Sequence, residues 1–153
     1  MKWGVLIISI LLFNTVATFM KKRLKTSEIY TTVIFGLLVS SLVDVYASFR
    51  YNAWGFFEVE KAELSAILVL LGIYPAATIM IINWYPYKCT WKLKLTYLMG
   101  WAIFSTSYEW LSIKSGVIWH NNWNLFYSFV MYPFIYYILI LHVKFYRWMQ
   151  QRR

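Results

Sequence analysis

Two carboxylates, Asp44 and Glu109, lie inside long apolar runs of the sequence. Ionisable groups are costly within a membrane span, and they usually face a protein interior or a wet cavity when they occur there. Each acid has two serines three or four residues away: Ser40 and Ser48 beside Asp44, Ser105 and Ser112 beside Glu109. That spacing places each group on one helix face, so we expect both acids to point into a helical bundle.

The two acids are also predicted to lie at the same depth. Asp44 is 15 residues beyond Ile29, and Glu109 is 14 beyond Leu95, the expected starts of their helices. At about 1.5 Å per residue, each lies roughly 21–23 Å from the same side of a hydrocarbon layer about 30 Å thick. We therefore expect the carboxylates to converge in the outer third of the membrane.

Polar and aromatic residues from two connectors complete a candidate binding site. The predicted ligand-binding residues are Asp44, Arg50, Glu109, Trp119, His120, Asn121 and Trp123. If the connectors line a cleft, their amides and rings would recognise a polar group by hydrogen bonds and ring contacts. The alternative is a surface loop whose indoles lie at the membrane interface, where Trp is enriched.

Three interpretations of the acids stay open. In the first, the acids belong to structural polar stripes and are held by hydroxyls or by Arg50. In the second, they form an outward-facing pocket for a small ligand or a proton. Two carboxylates in low dielectric cannot both ionise cheaply, so such a pair would hold one proton. We predict that Glu109 carries it while Asp44 stays charged near Arg50. In the third interpretation, one acid transfers a proton in an intramembrane enzyme that acts on a lipid.

Other chemistry is poorly supported by the sequence. Glu109 and His120 lack enough nitrogen or sulfur neighbours for a metal site, and the single Cys89 excludes an intramolecular disulfide. No phosphate-binding glycine loop or nucleophile elbow is present. We predict no catalytic residue, no metal and no cofactor, and we favour a protein that is not an enzyme.

The composition predicts the helices that position these residues. Of the 153 residues, 61% are apolar, whereas soluble domains have about 45–50%. The length suits about five spans of roughly 20 residues in one transmembrane domain, residues 1–153. The predicted spans cover residues 3–20, 29–49, 62–85, 95–113 and 125–143. Pro75 should kink the third span, and Pro86 should end it.

The distribution of basic residues predicts the orientation. Lys and Arg number 15, in short clusters between the apolar runs. Eleven fall on one side of the five-span arrangement and four on the other. Positive residues accumulate in the cytoplasm, so the N-terminus should be outside and the C-terminus cytoplasmic. Dispersed clusters also argue against a nucleic-acid partner. The predicted fold is an all-α bundle of five transmembrane helices.

Several short motifs spread over residues 30–150 support a resemblance. They are Phe49-Arg-Tyr51, Ile73-Tyr-Pro75, Asn83-Trp-Tyr-Pro86, Glu109 with its aromatic neighbours, Gly116-Val-Ile-Trp-His-x-x-Trp123 and Phe145-Tyr-Arg-Trp148. With them the chain resembles an uncharacterised family of small five-span membrane proteins from spore-forming Gram-positive bacteria. The resemblance implies a multi-pass protein of the bacterial cytoplasmic membrane and carries over no catalytic residue.

The favoured function is that of a membrane component that binds a small ligand or a proton in an outward-facing polar pocket, as an accessory to transport. The alternatives are a structural partner subunit of a membrane complex and, less favoured, a lipid-modifying enzyme. The expected partners are the lipid bilayer, the small ligand or proton, and a partner membrane protein.

Overall fold

A computed structural model describes residues 2–57 and 64–152, without the side chains of residues 48, 49, 64 and 65. In chain order the elements are α1 (Lys2–Phe19), α2 (Thr26–Tyr51), β1 (Trp54–Phe56), α3 (Leu64–Gly72), α4 (Tyr74–Trp84), α5 (Trp91–Ser115), β2 (Ile118–His120) and α6 (Leu125–Gln151). The chain is therefore a helical bundle with one short pair of strands.

Four stretches of the described chain are helical, long and apolar enough to cross a membrane. They are Lys2–Phe19, Thr26–Ala47, Ala66–Trp84 and Leu125–Gln151. These helices expose large hydrophobic side chains on their outer faces, such as Ile8 and Phe19. Such faces suit a lipid environment. The prediction of a helical bundle with helices that could cross a membrane is confirmed, for four stretches of the described chain. Helix α5 has 25 residues but is more polar than these four stretches.

The two prolines of the third predicted span act as expected. Helix α3 ends at Gly72 and α4 begins at Tyr74, so the break falls at Ile73, two residues before Pro75. Helix α4 then ends at Trp84, and Tyr85 is extended with φ −58° and ψ 133°. The residue before a proline is pushed out of the helical region, which accounts for that end. The predicted start at residue 62 lies outside the described residues.

Several helices are longer than the predicted spans. Helix α2 begins at Thr26, α5 begins at Trp91, and α6 continues through the basic tail to Gln151. The predictions followed only the apolar cores, whereas charged residues can extend a helix beyond the hydrocarbon layer. At the start of α2, the backbone N–H of Lys25 donates to Glu28 Oε2 over 2.9 Å, which satisfies one of the free donors of that helix end.

The all-α prediction misses one feature, a pair of antiparallel strands. Strand β1 pairs with β2 so that Trp54 lies opposite His120 and Gly55 lies opposite Trp119. The pair is extended by hydrogen bonds from Phe57 N–H to Val117 O (3.0 Å) and from Asn121 N–H to Ala53 O (2.9 Å). Lys2 Nζ also lies 3.3 Å from Phe57 O. We call this side of the molecule, with Lys2, β1 and β2, the strand end.

The opposite side carries most of the basic residues, and we call it the basic end. Asn83, at the end of α4, accepts from Arg23 N–H (2.7 Å) and donates to Lys21 O (2.9 Å). Arg147 of α6 pairs with Glu28 of α2 at 2.6 Å. These contacts hold the loop after α1 against the end of α4, and they hold the start of α2 against α6.

Candidate functional site

The end of α5 brings β2 back toward Glu109. Gly116 follows the helix with φ 78°, a left-handed conformation in which glycine meets no steric penalty. The N–H of Gly116 donates to Ile113 O, and that of Val117 donates to Ser112 O. This turn reverses the chain, so that β2 runs beside the last turns of α5 and carries His120 to the acid.

Glu109 is 7% exposed and is surrounded by polar groups from two other elements. From α6, Ser128 Oγ donates to Oε1 over 2.6 Å and Tyr132 OH donates to Oε2 over 2.7 Å. From β2, His120 Nε2 lies 2.8 Å from Oε1, but this ring nitrogen makes no hydrogen bond of good geometry with it. The imidazole and the carboxyl group are therefore in direct contact. We call these four residues the Glu109 cluster.

Trp123 links the Glu109 cluster to the entry of α6. Its indole Nε1 donates to Ser128 Oγ over 2.8 Å, so Ser128 receives one hydrogen bond and passes another to the acid. Asn124 caps α6 by accepting from Tyr127 N–H at 3.0 Å. The Trp123 ring also lies edge-on to Trp54 of β1, with centroids 4.9 Å apart. The aromatic connector is thus packed against the site.

The serine face predicted for α5 points inward as expected. Ser112 is 1% exposed, and its hydroxyl donates back to Tyr108 O over 2.9 Å. Ser105 accepts a short hydrogen bond from the Tyr136 hydroxyl of α6. On α2, Ser40 and Asp44 are half-buried, and the side chain of Ser48 lies outside the described residues.

Asp44 is held by two aromatic donors. Trp54 Nε1 of β1 lies 3.2 Å from Oδ1, and the Tyr74 hydroxyl lies 3.3 Å from Oδ2. Glu109 contacts His120, which lies opposite Trp54 in the strand pair, so the two acids lie at the same end of the bundle. No direct hydrogen bond joins them among the described contacts.

Among the described residues, three of the predicted site residues form no hydrogen bond or ion pair with either acid. Arg50 is exposed at the last turn of α2 and makes no ion pair with Asp44 or any other described acid. Asn121 is exposed and contributes its backbone N–H to the strand pair. Trp119 is half-buried, and its Nε1 makes no hydrogen bond within the described structure. The expectation that Arg50 keeps Asp44 charged is wrong here, because Trp54 and Tyr74 occupy the carboxylate instead.

Four donors that hold the acids were not predicted from the sequence: Trp54, Tyr74, Ser128 and Tyr132. Ser128 and Tyr132 are four residues apart on α6, a spacing that places two hydroxyls on one face. This was the one available signal, and it is weak in a helix that contains many aromatic residues.

A groove of about 760 Å³ lies beside this site at the strand end. Its walls include Ala47 and Ala53 near the end of α2, and Trp123, Phe126, Val130 and Met131 of α6 and its approach. Its lining is mainly apolar, so the groove is not the predicted outward-facing polar pocket. The polar groups of the site are instead packed against one another.

Comparison with protein families, with curated proteins and with solved structures found no match for the chain. The family resemblance therefore stays a prediction. Among the described residues, no group of three His, Cys, Asp or Glu side chains could hold a metal ion.

Proposed function

We propose that this is a five-span protein of the bacterial cytoplasmic membrane that binds a proton, or a small ligand together with a proton, at the Glu109 cluster and Asp44. In this proposal the N-terminus and the strand end are outside, and the C-terminus is cytoplasmic. The strand pair transmits the protonation state of the two acids to the outer surface.

The pairing of β1 with β2 supports five spans. Strand β1 follows α2, and β2 follows α5, so the two strands are separated in the chain by the α3–α4 span and α5. The strands lie on one side of the membrane only if the chain crosses an even number of times between them. Because α3–α4 makes one crossing, α5 makes the other. Its 25 residues extend about 37 Å at 1.5 Å per residue, enough for a layer about 30 Å thick.

The charge distribution supports the orientation. Within the described residues, the strand end carries Lys2, Arg50 and Lys114, whereas the loops and helix termini of the basic end carry the larger share of Lys and Arg. Basic residues are retained in the cytoplasm during insertion. The family resemblance agrees with a bacterial cytoplasmic membrane.

The observation that carries the proton proposal is the attachment of the strand pair to both acids. Trp54 and His120 lie directly opposite each other in the strand pair. Trp54 contacts Asp44, and His120 contacts Glu109. A proton gained by Asp44 weakens the hydrogen bond from Trp54, because charge-assisted hydrogen bonds are about twice as strong as neutral ones. A proton gained by Glu109 removes the negative charge that faces His120. The exposed Asn121 and Arg50 would then change position at the mouth of the site.

The internal packing of the polar groups favours a second candidate, a structural subunit for a partner membrane protein. Ser128 and Tyr132 donate hydrogen bonds to both carboxyl oxygens of Glu109, so the acid is satisfied without an external ligand. In this alternative the acids only fasten the strand pair to the bundle. A lipid-modifying enzyme is the third candidate, with one acid as its proton donor.

Hydrogen–deuterium exchange of the strand pair at several pH values tests the proposal, after correction for the intrinsic pH dependence of exchange. In the wild-type protein, we expect the corrected exchange of residues 118–120 to change with pH. The isosteric variants Glu109→Gln and Asp44→Asn should remove that change, while Ser107→Ala on the exposed face of α5 should retain it. A purely structural role predicts faster exchange in Glu109→Gln at every pH and no pH response in the wild type.

A further inference from the structure

We propose that the groove between α2 and α6 at the strand end holds an acyl chain of an anionic phospholipid, with the lipid phosphate at Arg50. This site is distinct from the Glu109 cluster, and the inference is independent of the proton proposal.

The walls of the groove suit a hydrocarbon chain. The volume of about 760 Å³ is bounded mainly by apolar and aromatic groups. Phe126 is 68% exposed, and Val130 and Met131 are also more than a third exposed. They follow one another along the outer face of α6, and Phe134 continues the same face one turn further. A chain lying in the groove can therefore extend along the helix into the membrane.

Arg50 is placed to bind the headgroup. Ala47 and Tyr51 line the groove, and Arg50 lies three residues after Ala47 on the same face of α2. Its side chain is exposed and forms no ion pair with a described residue. A guanidinium can bind two phosphate oxygens at once, and it does so in a more fixed geometry than an ammonium group.

The surroundings of the groove identify a lipid as its occupant. It opens between α2 and α6, which both contain stretches long and apolar enough to span a membrane. Tyr51 and Trp123 line the groove, and both are residue types that concentrate where the headgroups meet the hydrocarbon. An exposed cation beside an apolar groove at that level complements an anionic headgroup joined to an acyl chain.

The test uses the full chain reconstituted in vesicles of phosphatidylcholine with an equal amount of phosphatidylglycerol. After mild detergent extraction, retained phospholipid is quantified by mass spectrometry. We expect the wild type to retain phosphatidylglycerol in preference to phosphatidylcholine. Arg50→Gln should reduce the preference about fivefold, which corresponds to ~1 kcal/mol for one basic residue at an anionic surface. Val130→Trp, which fills the groove, should reduce retention of both lipids.

Two matched controls separate the groove from general effects of charge and bulk. Lys114→Gln removes a cation elsewhere at the strand end, and Ile8→Trp adds bulk to the outer face of α1; both should retain lipid as the wild type does. Equal retention of the two lipids by the wild type, or an equal loss in Arg50→Gln and Lys114→Gln, overturns the proposal.

A measurement on the wild type alone covers the case in which Val130→Trp fails to fold. Phosphatidylglycerol with a photoreactive diazirine in its acyl chain is incorporated into the same vesicles, and labelled peptides are identified after illumination. Labelling should concentrate on residues 126–134 of α6. Equal labelling of the outer faces of α1 and α6 contradicts the proposal.

Discussion

Replacement of Glu109 gives the sharpest test of the site geometry. In Glu109→Leu, the hydroxyls of Ser128 and Tyr132 both lose their acceptor, while Ser128 still receives its hydrogen bond from Trp123. Hydrogen bonds to charged groups contribute about 1.5–3 kcal/mol each, whereas bonds within membranes average only about 0.6 kcal/mol. Since Glu109 is buried but close to the strand end, we expect an intermediate loss of about 2–4 kcal/mol for the two bonds together.

Glu109→Gln should cost less, for a specific reason. The amide keeps one oxygen that can accept from Ser128 or Tyr132, but its nitrogen can only donate, so one hydroxyl must rotate to act as acceptor. We expect a loss of about 1 kcal/mol, the typical net value of one hydrogen bond.

The assay is unfolding of the detergent-solubilised protein by increasing amounts of a denaturing detergent, followed by circular dichroism of the helices. Ser107→Ala, which removes an exposed hydroxyl bonded only to Ile103 O, should change the free energy of unfolding by less than about 0.5 kcal/mol. The double variant of Glu109→Gln with Tyr132→Phe should lose less than the sum of the single variants, because the residues are in contact. If the free energy of unfolding of Glu109→Leu lies within about 0.5 kcal/mol of the wild-type value, the described hydrogen bonds do not hold the site together.

Three further predictions concern the packing around the site. Gly55→Ala should destabilise the protein by about 1–3 kcal/mol, because its Cβ would lie 2.5 Å from the Trp119 ring, and thermal unfolding measures this loss. Asn52 has φ 47°, so Asn52→Val should cost about 1–2 kcal/mol while Asn52→Gly stays close to the wild type in the same assay. Arg147→Gln leaves the buried Glu28 without its cation and should lower the free energy of unfolding by about 1–3 kcal/mol. This estimate is reduced for solvent screening because the arginine is about one-third exposed. Unfolding in denaturing detergent compares it with Lys144→Gln, a control at an exposed residue.

The sequence was sufficient to locate the acids and the breaks between helices. Asp44 and Glu109 stand out because a charge inside an apolar run is costly, and the serines at helical spacing gave the inward direction of Glu109. Pro75 and Pro86 act through the covalent geometry of their own rings, so their effects on α3 and α4 do not depend on distant contacts.

The partners of the acids could not be predicted because they depend on how distant helices pack. Ser128 and Tyr132 lie on a helix whose every face contains aromatic or apolar residues, so their inward face has no distinct pattern. Strands β1 and β2 have three residues each, too few for an alternating pattern, and they form only because both connectors lie at one end. The predicted pairing of Arg50 with Asp44 was wrong because Trp54 reaches the acid from that strand pair.

The central claim is that the Glu109 cluster exchanges a proton, and infrared difference spectroscopy across a pH titration measures this most directly. The protonated carboxyl group has a carbonyl band of its own, which isotope exchange in deuterated water shifts. We predict that such a band changes with pH in the wild type, is missing in Glu109→Gln and is retained in Ser107→Ala. A carboxyl spectrum that is the same in the wild type and in Glu109→Gln at every pH would contradict the proposal that Glu109 binds the proton.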